Sequence, residues 1–243
     1  CVSDALVMRR ALEYVKKFDG VIAQHAQEPS LTVDAQMNEG LISSQLGLKG
    51  WPAVAEEGII ARDVLLADHV QSRLHICHVT TAGGVEIIRW AKSRGINVTA
   101  EVTPHHLLLT DDLARTYDPI YKVNPPLRSE RDVMALREGL ADGTIDAIAS
   151  DHQPRDADDT RLPCAVAPPS GAGLATLLGI VLAHVHNGDL AMGAAISLLT
   201  ARPAALLGSN AGRFAKGAPA DLCLFHPDRI WQVEAGKLPG KAQ

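Results

Sequence analysis

Four short apolar runs, each parted from the next by a stretch of helical periodicity, constrain this chain more than any other feature. They cover residues 21–23, 74–78, 96–103 and 145–150. Runs of this length, bounded by Gly, Pro and polar clusters, predict buried strands. The segments between them predict helices: apolar residues recur at three- and four-residue spacing over 5–17, and Val54, Ile59, Ile60, Val64 and Leu65 predict the inner face of the next. Strand and helix thus alternate four times, which argues for parallel βα units with right-handed crossovers. Four such units are half of an eight-unit barrel.

Punctuation along the chain agrees. Thr80 and Thr81 can cap the helix that carries Val85, Ile88 and Ala91, and Gly95 can end it. Ser129 with Asp132 predicts a capping box, and Gly143 a stop before the last strand. Residues 38–50 and 156–173 predict polar loops. Beyond them, 174–186 and 190–199 predict helices without intervening strands. The tail, where Gly217, Ala218, Pro219, Ala220 and Asp221 form a turn-like run, predicts a short strand. The boundary falls at 208: residues 1–208 belong to the half-barrel and 209–243 to a small β-rich unit.

Composition narrows the partners. At 243 residues the chain is long enough for a substantial core, and its net charge of −5 without a Lys/Arg cluster offers no footprint for nucleic acid. No apolar run approaches the roughly 20 residues of a membrane span, and no signal peptide is visible. A small molecule is the expected partner and the cytoplasm the expected location. Cys1, Cys77, Cys164 and Cys223 lack paired spacing, which argues for reduced thiols rather than a disulfide framework. The chain opens at Cys1 without Met, and Ser3 and Asp4 look like the cap of a helix lacking its preceding strand. The expectation is the later part of a longer protein.

Candidate chemistry sits at the strand ends. His25, His78 and Asp151 each stand at or within a residue of such an end, and in a barrel those ends converge on one face. Imidazole nitrogens and a carboxylate suit zinc. His75 lies three residues before His78, which in a continuous strand sends it to the opposite face, outward against a helix. Of His105 and His106, adjacent in sequence, at most one can enter the site. Asn124 suits recognition of an amide or serves as a turn residue before Pro125. Arg155 either grips a substrate carboxylate or pairs with the nearby Asp156, Asp158 or Asp159.

Several motifs resemble the dihydroorotases, of the longer bacterial type within the amidohydrolase superfamily. They are Gln24-His25-Ala26, His75-Ile76-Cys77-His78-Val79-Thr80, Glu101-Val102-Thr103-Pro104-His105-His106-Leu107, Asn124-Pro125-Pro126-Leu127-Arg128 and Ser150-Asp151-His152. The resemblance implies an α/β fold, a TIM-like (β/α)8 metallo-dependent hydrolase barrel of which the second half is present, with part of a small β-sandwich at the C-terminus. It implies two Zn2+ ions per complete site, with His25 and His78 on one and Asp151 on the other as well as serving as general acid/base. Asn124, Arg155 and the backbone around Pro169 and Ser170 would contact substrate. The implied reaction interconverts N-carbamoyl-L-aspartate and L-dihydroorotate in pyrimidine synthesis. A homodimer and an aspartate transcarbamoylase partner are implied as well.

Two departures stand out. The family's His-x-His and an aspartate expected just before Cys1 are not in the chain. Where the family has Asp-His-Ala-Pro-His, this chain has Asp151-His152-Gln153-Pro154-Arg155. The alternatives these leave are an inactive subunit that scaffolds aspartate transcarbamoylase, and a related hydantoinase or allantoinase.

Overall fold

The computed structural model describes residues 1–234 together with 237 and 238. Helix α1 (Ala5–Lys16) begins where the Asp4 carboxylate accepts from the Val7 amide, and it buries Met8 and Leu12. Strand β1 (Val21–Gln24) follows. Within the stretch whose composition predicts only a loop, the two-residue strands β2 (Met37–Asn38) and β3 (Gly50–Trp51) pair in parallel around helix α2 (Leu41–Leu46). Strands that short carry no readable period.

Helix α3 (Val54–Val70) buries Ile59, Ile60 and Val64, but Val54 and Leu65 are exposed. Leu65 is one residue, about 100° of helix rotation, beyond Val64 and so leaves the inner stripe. Strand β4 (Arg73–Ile76) leads to helix α4 (Ala82–Ser93), whose Thr81 cap accepts from the Gly84 amide at 3.0 Å. Strand β5 (Val98–Val102) is followed by the short helix α5 (Pro104–Leu108) and then by helix α6 (Glu130–Ala141). The Ser129 amide and hydroxyl both donate to Asp132 there, as the capping box predicts.

Strand β6 (Ala147–Ile148) is short, and helices α7 (Ala157–Thr160), α8 (Leu177–His186), α9 (Met192–Leu199) and α10 (Ala201–Leu206) complete the regular structure. From 209 to 234 the chain makes turns but no strand. The predicted tail strand does not form: among the described residues no segment of the tail pairs with an edge of either sheet.

The four main strands form one parallel sheet in the order β1-β4-β5-β6. Helix α3 packs between α1 and α4, and α4 packs on α6, so the helices form one layer. Leu74, Ile76, Val98, Ala100, Val102 and Ile148 join that layer in a single core with Ile60, Val85 and Ile88. Alternation then assigns Ala23, His75 and Thr99, paired across the strands, to the opposite face. That face is the interior side of a barrel-type sheet. His75, predicted to pack outward against a helix, therefore lies inside.

Candidate active site

His25 stands just past β1, and its Nδ1 lies 2.8 Å from His78 Nε2. The other nitrogen of His25 is 2.9 Å from Gln27 Oε1, and its ring meets Trp51 edge-on. His78 Nδ1 is buried without a hydrogen-bond partner among the described residues. Burial, followed by the neighbouring imidazole, lowers the His25 pKa below its ordinary value. Burial lowers that of His78 as well, against an opposing pull from Asp151. Both rings are thus held neutral near pH 7, with lone pairs available to a cation.

Two of the predicted ligands are backbone outliers. His78 has φ 35° and Asp151 φ 42°, in the left-handed region that non-glycine residues rarely occupy. Such residues persist only where the surroundings hold them, and they cluster at functional sites. The turn at His78 also explains the misplaced His75: the chain leaves the strand at Ile76, so alternation does not carry through to residue 78.

Beneath the two imidazoles lies a buried polar network that sequence reasoning missed. Arg128 is 1% exposed; it donates from Nε to Thr80 Oγ1 at 3.0 Å and from one terminal nitrogen to Asn38 Oδ1 at 2.9 Å and Trp51 O at 2.8 Å. Its other terminal nitrogen is 3.6 Å from Glu56. Glu56 in turn accepts from the Thr80 amide at 2.8 Å and from the Thr80 hydroxyl. One cation thereby locks Thr80, two residues after His78, to Trp51, which packs on His25. Only the Asn-Pro-Pro-Leu-Arg motif hinted at Arg128, since its partners are scattered from 38 to 80.

Asp151 follows β6, and Gln153 Nε2 donates to its Oδ1 at 2.8 Å. Gln153 also bridges Gly171 through its backbone, at 2.7 and 3.0 Å. Arg155 makes no ion pair with Asp156, Asp158 or Asp159 among the described residues; its Nε donates instead to Pro169 O at 3.2 Å. The Ser170 amide donates to Lys122 O at 2.9 Å, so Ser170 N and Pro169 O are already engaged. Asn124 Oδ1 is buried without a partner among the described residues. Glycine is required at 173, because a Cβ there would stand 2.2 Å from Ser150 O.

Arg155, Gln153 and Ser170 line a cavity of about 300 Å3 whose far wall is apolar, with Leu109, Tyr121 and Ile180. His105 lines it too. Burial pushes the His105 pKa down to about 4 against the pull of Asp151, and its Nε2 is buried with no partner. His106, in contrast, is satisfied: Nδ1 is 2.7 Å from Thr103 Oγ1 and Nε2 3.0 Å from Pro125 O. Of the adjacent pair, His105 alone lines the cavity; both lie on α5 rather than on a strand, with ring centroids 4.5 Å apart.

A family model, described as "Amidohydrolase family", matches residues 3–238. The chain belongs to the amidohydrolase family. Members of this family depend on metal. The curated relatives are named dihydroorotase: that of Streptomyces coelicolor is 61% identical over 100% of this chain and 58% of its own length, and that of Mycobacterium tuberculosis 46% identical over 100% and 57%. The chain thus spans somewhat more than half the length of the relatives it matches. Among solved structures, the L-hydantoinase of Arthrobacter aurescens superposes with a TM-score of 0.81 at 27% identity, covering 90% of this chain and 51% of that one. The dihydropyrimidinase of Brevibacillus agri gives 0.79 at 21% identity, covering 89% and 50%. The four parallel βα units therefore belong to a metallo-dependent hydrolase barrel, and the parallel sheet of this amidohydrolase is that architecture.

Proposed function

We propose that this amidohydrolase is a dihydroorotase, which opens and closes the ring between L-dihydroorotate and N-carbamoyl-L-aspartate. The observation that carries the proposal is the pair of neutral, facing imidazoles His25 and His78, with the Asp151 carboxylate near enough to act on His78. Relatives named dihydroorotase along the whole chain support the substrate.

The donor set fits a divalent metal. Two imidazole nitrogens 2.8 Å apart need a proton or a cation between them, and a second nitrogen of His78 is buried without a partner. His25 and His78 would hold one zinc ion and Asp151 would join the other. Zinc bound there supplies Lewis acidity toward water and the amide carbonyl.

The protein's own groups do the rest. Asp151 accepts the proton of the attacking water and delivers it to the departing ring nitrogen. Gln153 fixes the carboxylate by donating to Oδ1, which leaves Oδ2 as the basic atom. Arg155, without a carboxylate partner among the described residues, offers its guanidinium to the substrate carboxylate across the cavity rim. Asn124, whose Oδ1 is unpaired, accepts from the ring imide, while Pro169 and Ser170 form the rim at which Arg155 is steadied. The same reading makes the protein a cytoplasmic enzyme and a homodimer, with aspartate transcarbamoylase as a candidate partner.

The test is hydrolysis of L-dihydroorotate by the full-length protein, with hydantoin and allantoin in parallel and metal content measured. The reading predicts turnover of dihydroorotate above the other two, with about two zinc ions per subunit. A metal-free protein without turnover would point to the scaffold instead. Preferred turnover of hydantoin or allantoin would move it to the neighbouring cyclic amidases.

A further inference from the structure

On the interior face of the sheet, three side chains of different chemistry converge away from His25 and His78. His75 Nε2, the Cys77 sulfur and a Glu101 carboxylate oxygen lie within 4.8 Å of one another. His75 sits opposite Ala23, two residues before His25, so the group lies deeper along the strands than the imidazole pair. His75 is 3% exposed, and Glu101 has no other side-chain partner among the described residues.

The hydrogen bonds around His75 point to a cation. Thr99 Oγ1 lies 2.9 Å from His75 Nδ1, so Nδ1 is engaged and Nε2 is the nitrogen turned toward Glu101. In the tautomer that donates from Nδ1–H to this hydroxyl, Nε2 presents a lone pair. That lone pair faces a carboxylate oxygen at 3.2 Å. Two acceptors so placed repel unless a positive species lies between them. The separation exceeds the roughly 2.7–2.9 Å of a charge-assisted hydrogen bond. It is close to the edge of about 3.3 Å that a tetrahedral zinc with N and O ligands near 2.0 Å would set. Metal-bound histidines characteristically donate their other ring N–H to a neighbouring acceptor, and Thr99 Oγ1 is placed 2.9 Å from Nδ1 to take that role.

We propose that His75, Cys77 and Glu101 form a second, separate site for a zinc-class divalent cation, with Cys77 binding as the thiolate. Mixed imidazole, thiolate and carboxylate donors suit Zn2+ and Co2+ and disfavour Mg2+ and Ca2+. The sulfur distinguishes this site from the imidazole pair above it, whose candidate ligands are nitrogen and oxygen only.

Cobalt exploits that difference, because thiolate ligation adds a near-ultraviolet charge-transfer band that nitrogen and oxygen donors do not give. Metal-free full-length protein titrated with Co2+ should develop the band. Cys164→Ser and His25→Ala should retain it, and Cys77→Ser should lose it while still binding cobalt. Thr99→Val, which leaves all three ligands in place, should weaken the band-forming affinity about 10- to 100-fold, and it keeps the test open if Cys77→Ser does not fold. No band in the unaltered protein, a band that survives Cys77→Ser, or an affinity unmoved by Thr99→Val would overturn the proposal. A band abolished by His25→Ala would show that no separate site exists.

Discussion

The two sides of the candidate site are built by opposite means. His25 and His78 rest on the ends of β1 and β4, over a buried network in which Arg128 and Glu56 tie Thr80 to Asn38 and Trp51. Asp151, Gln153 and Arg155 project from a polar segment whose only regular element is the four-residue α7, and Gln153, Pro154 and Arg155 are exposed. The imidazole half is fixed by desolvated charge, and the Asp151 half by the Gln153–Gly171 backbone bridge and the Arg155 side-chain contact to Pro169 O. A binding imidazole gains from rigidity, whereas groups that meet and release a substrate need access to solvent.

Breaking the rigid half should cost most. Arg128→Met strands the Glu56 carboxylate, 1% exposed, without its cation. Loss of one partner of a buried pair typically destabilises by about 3–5 kcal/mol, so denaturant unfolding should show a loss of that size. A loss below about 1 kcal/mol, within the range of an exposed ion pair, would remove the network from the account.

Acid should act on the boundary between the halves. The His105 imidazole takes a proton near its ordinary 6.5 in the unfolded chain but only at about 4 in the fold. The stability it contributes is complete above 6.5 and is lost as pH falls from 6.5 to 4, a total of roughly 3 kcal/mol. His106, its pKa held well below 6.5 by burial, adds a loss of the same sign on acidification. Unfolding curves from pH 7.5 to 4 should show the decline, and His105→Gln should flatten it. An unchanged slope would place His105 in water rather than at the buried wall.

A smaller effect belongs to the seam between loop and strand. Gly173→Ala forces a Cβ against the Ser150 carbonyl at 2.2 Å, and crowding of this kind costs about 1–3 kcal/mol. Its melting temperature should fall accordingly. The exposed half itself should hardly notice Arg155→Ala: stability should stay within about 0.5 kcal/mol, as for surface changes. KM for dihydroorotate should rise with kcat little changed, the signature of lost uniform binding. An unchanged KM would return Arg155 to a purely structural contact with Pro169.

Much of the fold was legible from residues alone. Asp4, Thr81 and the Ser129–Asp132 pair mark helix starts through side-chain caps, which are local and leave a local signature. The strand ends brought His25, His78 and Asp151 forward for the same reason. Arg128 stayed hidden because its role depends on partners between 48 and 90 positions away. His75 was misplaced because strand alternation fails once His78 adopts a positive φ. The strand predicted in the tail is not seen among the described residues, and strand formation is decided by pairing more than by propensity.

The central claim is that Asp151 carries the proton in a cyclic-amide hydrolysis, and Asp151→Asn in the full-length protein tests it most directly. The substitution keeps the size of the side chain and an oxygen beside Gln153 while removing the base. The account predicts that kcat for dihydroorotate falls by about 10²–10⁴, with the unfolding midpoint retained. Turnover within a few-fold of the unaltered protein would contradict it.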